Sequence, residues 1–409
     1  MIERMLLLVI IVAFLLSCAD NGVDGVEGKT LSSTTTLDSI LLQAVESGKI
    51  SGAVVKVTKE GYEDYQKAFG YSNLENGEAL KSTDIFRIAS MTKAVTAVAA
   101  MILYEQGKFE LDDSLASYIP EFANPGILES INARDTTFTT HPAKGYITIR
   151  QLFTHSSGSA YGYDDENLMP VYMKAGITEG FEERDILLAD NVLRIAKMPI
   201  MHEPGERFTY GLNSDILGRL VEIWSGKSLD IFMSEEIFKP LGMNDTYFYL
   251  PEDKADRLVD VYMSSQNGVI PTDYPLIHYP VKGAKRYLSG GADLSSTASD
   301  YSRFCQMLLN GGTLENATIL QPATVDLMTQ THLETGDEDM GLGFSYTSEQ
   351  PDRRLKRKGS FSGGGFFSTA FWIDPAEQLT AVIMLQMYPF NDWDLITNLE
   401  VAIYNSYND

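Results

Sequence analysis

Ser90-Met91-Thr92-Lys93 closes a strand-like run, Ile85-Phe86-Arg87-Ile88. It opens a long apolar one, Ala94-Val95-Thr96-Ala97-Val98-Ala99-Ala100-Met101-Ile102-Leu103, which stops near Gly107. A run apolar on all sides predicts a buried helix. Positions i and i+3 share a helix face, so Ser90 and Lys93 point into one pocket. Ser90 falls in the first turn, where free backbone N–H groups and the helix dipole favour an oxyanion. A serine, an adjacent amine and a helix N-terminus together make an activated nucleophile. The same spacing also fits an N-cap serine followed by a solvated lysine. By chance an S-x-x-K arises roughly once or twice in a chain this long. Against that, a lysine at the mouth of a buried helix is costly unless it is paired or chemically used.

Such chemistry needs a second proton handler. Tyr210 sits in Phe208-Thr209-Tyr210-Gly211-Leu212-Asn213-Ser214-Asp215, on a loop just before a predicted helix. A nearby ammonium favours the phenolate, so a tyrosine there exchanges a proton with the serine. A packing role is the alternative, since the chain has 21 tyrosines. An oxyanion donor calls for backbone that approaches substrate closely, which glycine permits. Phe361-Ser362-Gly363-Gly364-Gly365-Phe366-Phe367 leads into a predicted strand containing Phe371-Trp372-Ile373. Its alternative is a glycine-rich turn or bulge.

The 409 residues are enough for a large core and two subdomains. Composition is globular, at 44% hydrophobic and 22% charged. The net charge of −24 repels phosphates and argues against a nucleic acid partner. The five histidines show no metal-ligand spacing, so no metal is expected, and no organic cofactor either.

Arg4 precedes the apolar run Met5 to Leu16, short for a spanning helix and suited to a signal peptide. The run ends in Leu15-Leu16-Ser17-Cys18, which resembles a bacterial lipoprotein signal. Residues 1–18 are therefore expected to be the signal, with Cys18 lipidated as a membrane anchor; the alternative is an ordinary signal peptide or an uncleaved anchor with an incidental cysteine. Alanine at 19 resembles an outer-membrane sorting signal if the host is Gram-negative. The polar residues 19–36 read as a flexible tether. The other cysteine, Cys305, lies in a helical pattern and reads as a buried, inert thiol.

Leu37 to Glu46 reads as a helix closed by Gly48. Ala53 to Val57 and Tyr65 to Phe69 read as strands around a turn at Glu60-Gly61. Thr148 is a predicted cap for a short helix. Ser214 to Trp224, Leu229 to Phe238, Ala298 to Leu309 and Pro322 to Thr331 read as helices. Asn124 to Gly145 and Gly158 to Asp185 read as long loops, and such loops often line sites. Phe366 to Ile373 and Leu379 to Leu385 read as antiparallel strands, with a terminal helix around Trp393 to Tyr404. Strands at both ends imply an α+β fold: an antiparallel sheet from residues 37–88 and 285–409, with a helical part at 89–284 inserted between.

The chain resembles the serine β-lactamase superfamily, in the branch of class C β-lactamases, related penicillin-binding proteins and family VIII esterases. The resemblance spans Leu37 to the C-terminus. Its blocks are Phe86-Arg87-Ile88-Ala89-Ser90-Met91-Thr92-Lys93, Ile149-Arg150-Gln151-Leu152-Phe153-Thr154-His155-Ser156-Ser157-Gly158 and Pro204-Gly205-Glu206-Arg207-Phe208-Thr209-Tyr210. To these add Lys239-Pro240-Leu241-Gly242-Met243, Ser289-Gly290-Gly291-Ala292-Asp293-Leu294 and Phe371-Trp372-Ile373-Asp374-Pro375.

The resemblance implies that Ser90 is acylated, with Lys93 and Tyr210 as its proton handlers. It implies an oxyanion hole from the N–H groups of Ser90 and Phe366, beside Gly364 and Gly365, and a structural His155. Two departures stand out. The usual asparagine two residues after the tyrosine is Leu212 here, which leaves Asn213 as the candidate substrate-binding residue. The third motif, usually Lys-Thr-Gly, is Gly363-Gly364-Gly365, without the lysine that meets a substrate carboxylate. The basic run Arg353-Arg354-Leu355-Lys356-Arg357-Lys358 is either a substitute or a solvated segment.

The expected activity is esterase-like hydrolysis of a small ester or amide through a Ser90 acyl-enzyme. The alternatives are a β-lactamase or D,D-carboxypeptidase acting on cell-wall peptides, and a non-catalytic envelope-binding protein. Oligomeric state is not set by the sequence.

Overall fold

A computed structural model describes residues 34–335, 339–349 and 355–408. The expected signal segment and Cys18 lie outside the described residues, as does most of the expected tether. The first helix, Thr34–Glu46, starts inside the last residues of that tether. No described helix is long and apolar enough to cross a membrane.

An eight-stranded antiparallel sheet joins the two ends of the chain. Its order is Asp339–Met340, Ser345–Tyr346, Phe361–Gly365, Thr369–Asp374, Leu379–Met384, Gly52–Lys59, Tyr62–Asn73 and Glu78–Ala79. The seam between early and late strands pairs Val54 with Met384 and Val55 with Ile383. Side chains alternate across a strand. Val54, Val382 and Met384 enter the core that holds the Ser90 helix, and Val55, Val57 and Ile383 enter a second core. The second core is closed by Leu37 and Leu41 of the first helix and Leu399 and Ile403 of the last, Asp394–Asn408. Both faces are covered, which is why these strands read as near-continuous apolar runs.

The Ser90 helix runs from Thr92 to Glu105, with every residue from Thr92 to Leu103 buried. It packs against Asn213–Ser225 of the inserted part. Thr148 caps Ile149–Phe153 in a capping box with Gln151. The inserted part also holds two hairpins. One, Gly126–Asn132 with Thr137–Pro142, lies where the sequence suggests a long loop. Its strands are mostly exposed, and a register shift between Leu128 and Ser130 breaks the alternation that would mark it. The other pairs Tyr262–Ser265 with Gly268–Pro271.

The glycine segment also differs from expectation. Gly363, Gly364 and Gly365 are not a turn before a strand; they end the strand Phe361–Gly365, and Gly364 pairs with Ala370. The turn is Phe366-Phe367-Ser368, with Ser368 at φ 65°, and the next strand begins at Thr369 rather than Phe366. Three residues without side chains carry no alternation, so the strand is invisible to pattern reading.

Candidate active site

Ser90 sits in a single 3-10 turn, Ala89–Met91, just ahead of the buried helix. Ala89 before it has φ 44°, a left-handed conformation that non-glycine residues adopt at a cost of about 1–3 kcal/mol. The turn is held in place by three contacts. Tyr301 Oη donates to Met91 O at 2.9 Å, Leu294 N–H donates to Thr92 Oγ1 at 3.1 Å, and Ile88 O receives the Met91 N–H. Behind it, the buried Arg87 guanidinium donates to Ile277 O at 2.6 Å and Val259 O at 2.8 Å.

Ser90 Oγ is the meeting point of two ionisable side chains. Lys93 Nζ donates to it at 3.1 Å and Tyr210 Oη at 2.9 Å. Lys93 also donates to Gly291 O at 2.8 Å, and its ammonium lies 4.8 Å from the Tyr210 ring centre. The helical spacing thus delivers the predicted Ser90–Lys93 approach, and the fold supplies Tyr210 from 120 residues away.

Tyr210 is fixed by its neighbours. A Cβ on Gly211 would fall 2.1 Å from Ser159 O, so only glycine lets this loop seat against Ser159-Ala160. The His155 ring lies 4.9 Å from the Tyr210 ring, and Thr209 N–H donates to His155 O at 2.7 Å. Burial, with help from Lys93, pushes the His155 imidazole down to about 3, so it is neutral. It packs behind Tyr210 and carries no charge there.

Asn213 does not reach the cleft. It is fully buried; its amide N–H donates to His155 Nδ1 at 3.1 Å, and its oxygen accepts from Ser157 Oγ. The expected substrate-binding role is therefore corrected: residue 213 is the first residue of a helix, and its side chain faces inward to hold His155. Leu212, also fully buried, does not take its place.

The glycine strand lies directly against the Ser90 turn. A Cβ on Gly365 would be 2.3 Å from Ile88 O, so the close approach needs glycine here. Phe366, next in the chain, lines the same cleft as Ser90. Gly364 has only an ordinary 3.4 Å neighbour and is not required in the same way. A Cβ on Gly363 would press on the Phe371 ring at 2.8 Å, so a third-motif lysine has no room. Lys356 and Arg357 do not substitute for it, being ion-paired with Glu400 and Glu377. Arg353 and Arg354 lie outside the described residues.

A cleft of about 640 Å³ opens over Ser90. Much of one wall is the segment from Gly158 to Asp185; it lines the site as expected but is not all loop, since it holds the helix Leu168–Ala175. Tyr161 and Tyr163 stack at 4.6 Å, and Phe366 stacks on Tyr388 at 3.7 Å. Sequence reasoning missed Tyr161, Tyr163, Glu179 and Tyr388; the closely spaced Tyr161-Gly162-Tyr163 was the available signal. Burial pushes the Glu179 carboxyl up to about 7 against the pull of the Gly162 and Tyr163 N–H groups. Burial likewise raises Asp293 to about 7. Asp293 receives N–H groups from Phe181 at 2.7 Å and Ser289 at 3.0 Å, and so ties the cleft wall to the Gly291 segment.

A protein-family model described as Beta-lactamase matches residues 37–402. The chain belongs to the beta-lactamase family. Its relatives in that family include a lovastatin esterase of Penicillium rubens, 30% identical over 91% of this chain and 98% of the relative. Esterase EstB of Burkholderia gladioli is 27% identical over 85% of this chain and 89% of its own. Among solved structures, simvastatin synthase (LovD) of Aspergillus terreus matches at a TM-score of 0.78 and 27% identity, covering 92% of this chain and 98% of that one. The family's fold is thus present over nearly the whole length, and esterases and acyltransferases are among the similar proteins.

Proposed function

We propose that this family member is a serine hydrolase of small esters, acting through an acyl-enzyme on Ser90. The observation that carries the reading is the convergence of Lys93 Nζ and Tyr210 Oη on Ser90 Oγ. Ser90 Oγ attacks the ester carbonyl carbon while its proton passes to the Tyr210–Lys93 pair, both members of which reach it by hydrogen bond. The carbonyl oxygen becomes an oxyanion, received by the N–H groups of Ser90 and Phe366. The intermediate collapses, the C–O bond to the alcohol breaks, and Tyr210 returns the proton to the departing oxygen. Water then repeats the sequence on the acyl-serine, releasing the acid. An alcohol in place of water would give acyl transfer, in keeping with the transferase and synthase names among the relatives.

A β-lactam or D-alanyl peptide carries a carboxylate, and Gly363 offers it no charge partner. The ester reading is therefore preferred. The test is intact mass spectrometry of protein lacking residues 1–18, incubated with p-nitrophenyl acetate, beside Ser90→Ala. Turnover and a transient acetyl adduct, both absent from the variant, are expected. An unaltered rate in Ser90→Ala overturns the reading.

We also propose that the chain is an exported lipoprotein held to a membrane by Cys18, on the strength of the apolar run that ends at that residue. Cys18→Ser should release it from the membrane fraction; membrane retention of that variant would refute the anchor.

A further inference from the structure

We propose that Glu179 and the tyrosines beside it form a subsite for an ammonium group, so that the preferred ester carries a cationic amine. This rests on the ester-hydrolase reading and names its substrate class. The cleft contains few charges. Glu182 accepts from Arg184 Nε at 2.9 Å on both oxygens, so that pair neutralises itself. Lys93 is engaged by Ser90 and Gly291 O. Glu179 is different: one oxygen accepts the Gly162 N–H, and among the described residues no lysine, arginine or histidine ion-pairs with it.

A partly buried carboxylate without a counter-ion is unfavourable, and it takes up a proton unless a cation stands beside it. Around it the cleft is aromatic. Tyr161 already has Lys93 Nζ 5.4 Å from its ring centre and Tyr163 stacked on it, so Tyr163 and Tyr274 are the rings left for a ligand; Tyr274 meets Phe366 at 5.4 Å and Phe181 edge-on at 6.4 Å. Aromatic faces attract ammonium groups within about 6 Å, most strongly when water is excluded. Carboxylate plus rings is a cation's environment. The same cleft lacks the cation at 363 that an anionic substrate would need, and the chain's charge of −24 raises the local concentration of cations. A purely structural Glu179, holding Gly162, would give no preference between a charged and an uncharged ester of equal shape.

Acetylcholine and 3,3-dimethylbutyl acetate form such a pair, differing by nitrogen for carbon. The expected result is a kcat/KM ratio favouring acetylcholine by about tenfold or more. Glu179→Gln should bring that ratio towards one. A ratio at or below one in the unaltered protein, or a ratio unmoved by Glu179→Gln, overturns the proposal. Turnover of p-nitrophenyl acetate, lost in Ser90→Ala, reports separately on the hydrolase reading. If no ester is turned over, calorimetry on folded Ser90→Ala decides the subsite: choline must bind more tightly than 3,3-dimethylbutan-1-ol, and equal or absent binding refutes it.

Discussion

Asp215 and Lys93 both border the space that a side chain at Gly291 would enter. A Cβ built there would lie 2.7 Å from Asp215 Oδ2 and 3.5 Å from Lys93 Nζ. Asp215 is fully buried, and its Oδ1 accepts from Tyr287 Oη at 2.9 Å. Burial raises the Asp215 carboxyl, and a Ser289 hydrogen bond, the Lys93 charge and the Tyr287 hydrogen bond work against that rise. The missing side chain at 291 leaves room for both Asp215 and the Lys93 ammonium that donates to Ser90 Oγ.

Gly291→Ala should therefore cost activity without unfolding the chain. The methyl group would displace Asp215, Lys93 or both, and a misplacement of about 1 Å costs on the order of a hundredfold in rate. The expected outcome is a fall in kcat of about ten- to a hundredfold with KM for p-nitrophenyl acetate little changed. Steady-state kinetics with a melting curve checks it. An unchanged kcat would mean that the Gly291 contact has no bearing on the nucleophile.

Tyr210→Phe removes one hydroxyl and leaves the ring against His155. General acid–base catalysis contributes about 10²- to 10⁴-fold. A loss of that size in kcat is expected, with the melting temperature close to that of the unaltered protein. Stopped-flow acylation by p-nitrophenyl acetate would show it directly; a burst at the unaltered rate would remove Tyr210 from the acylation step.

The sequence exposes the parts of this site that are local and hides those that are not. Ser90 and Lys93 are one helical turn apart, so their approach follows from spacing alone. Tyr210 stands beside a helix start and is readable as a candidate, but its partner is set by packing. Asn213 misleads because one residue's shift at a helix start turns a side chain from cleft to core. The cleft's aromatic wall draws on Tyr161, Phe181, Tyr274, Phe366 and Tyr388, from four separate segments with no shared period. The sheet was legible where Val54 to Val57 and Val382 to Met384 are apolar on both faces. It was not legible at Gly363 to Gly365, where no side chains report a face.

The raised Glu179 carboxyl makes stability depend on pH, with a definite sign. Its usual value is 4.5, and the fold lifts it to about 7, chiefly by burial, with Asp164 and Asp215 adding to the rise. The folded chain therefore holds a proton that the unfolded chain has lost, and stability falls as pH climbs from about 4.5 to about 7. Glu179→Gln cannot ionise. Its melting temperature, relative to the unaltered protein, should rise across that window and level off above it. Differential scanning calorimetry at pH 4.5, 6 and 8 reads this; a constant difference would place the Glu179 titration outside the window.

Restoring the third-motif lysine should fail, and for a steric reason. A Cβ at 363 meets Phe371 Cε1 at 2.8 Å, and Phe371 is a buried ring that also packs on Tyr301 at 5.0 Å. Tyr301 in turn donates to Met91 O, one residue from the nucleophile. Overpacking a core costs about 1–3 kcal/mol. Here the strain would pass through Phe371 and Tyr301 to the Ser90 turn. Gly363→Lys should thus lower the melting temperature and slow ester hydrolysis, while a chromogenic cephalosporin stays a poor substrate. Gly363→Lys combined with Phe371→Ala relieves the collision and should recover part of the ester rate. If the single variant is as stable as the unaltered protein and gains cephalosporin turnover, then the missing cation, not the crowded strand, is what keeps this cleft from β-lactams.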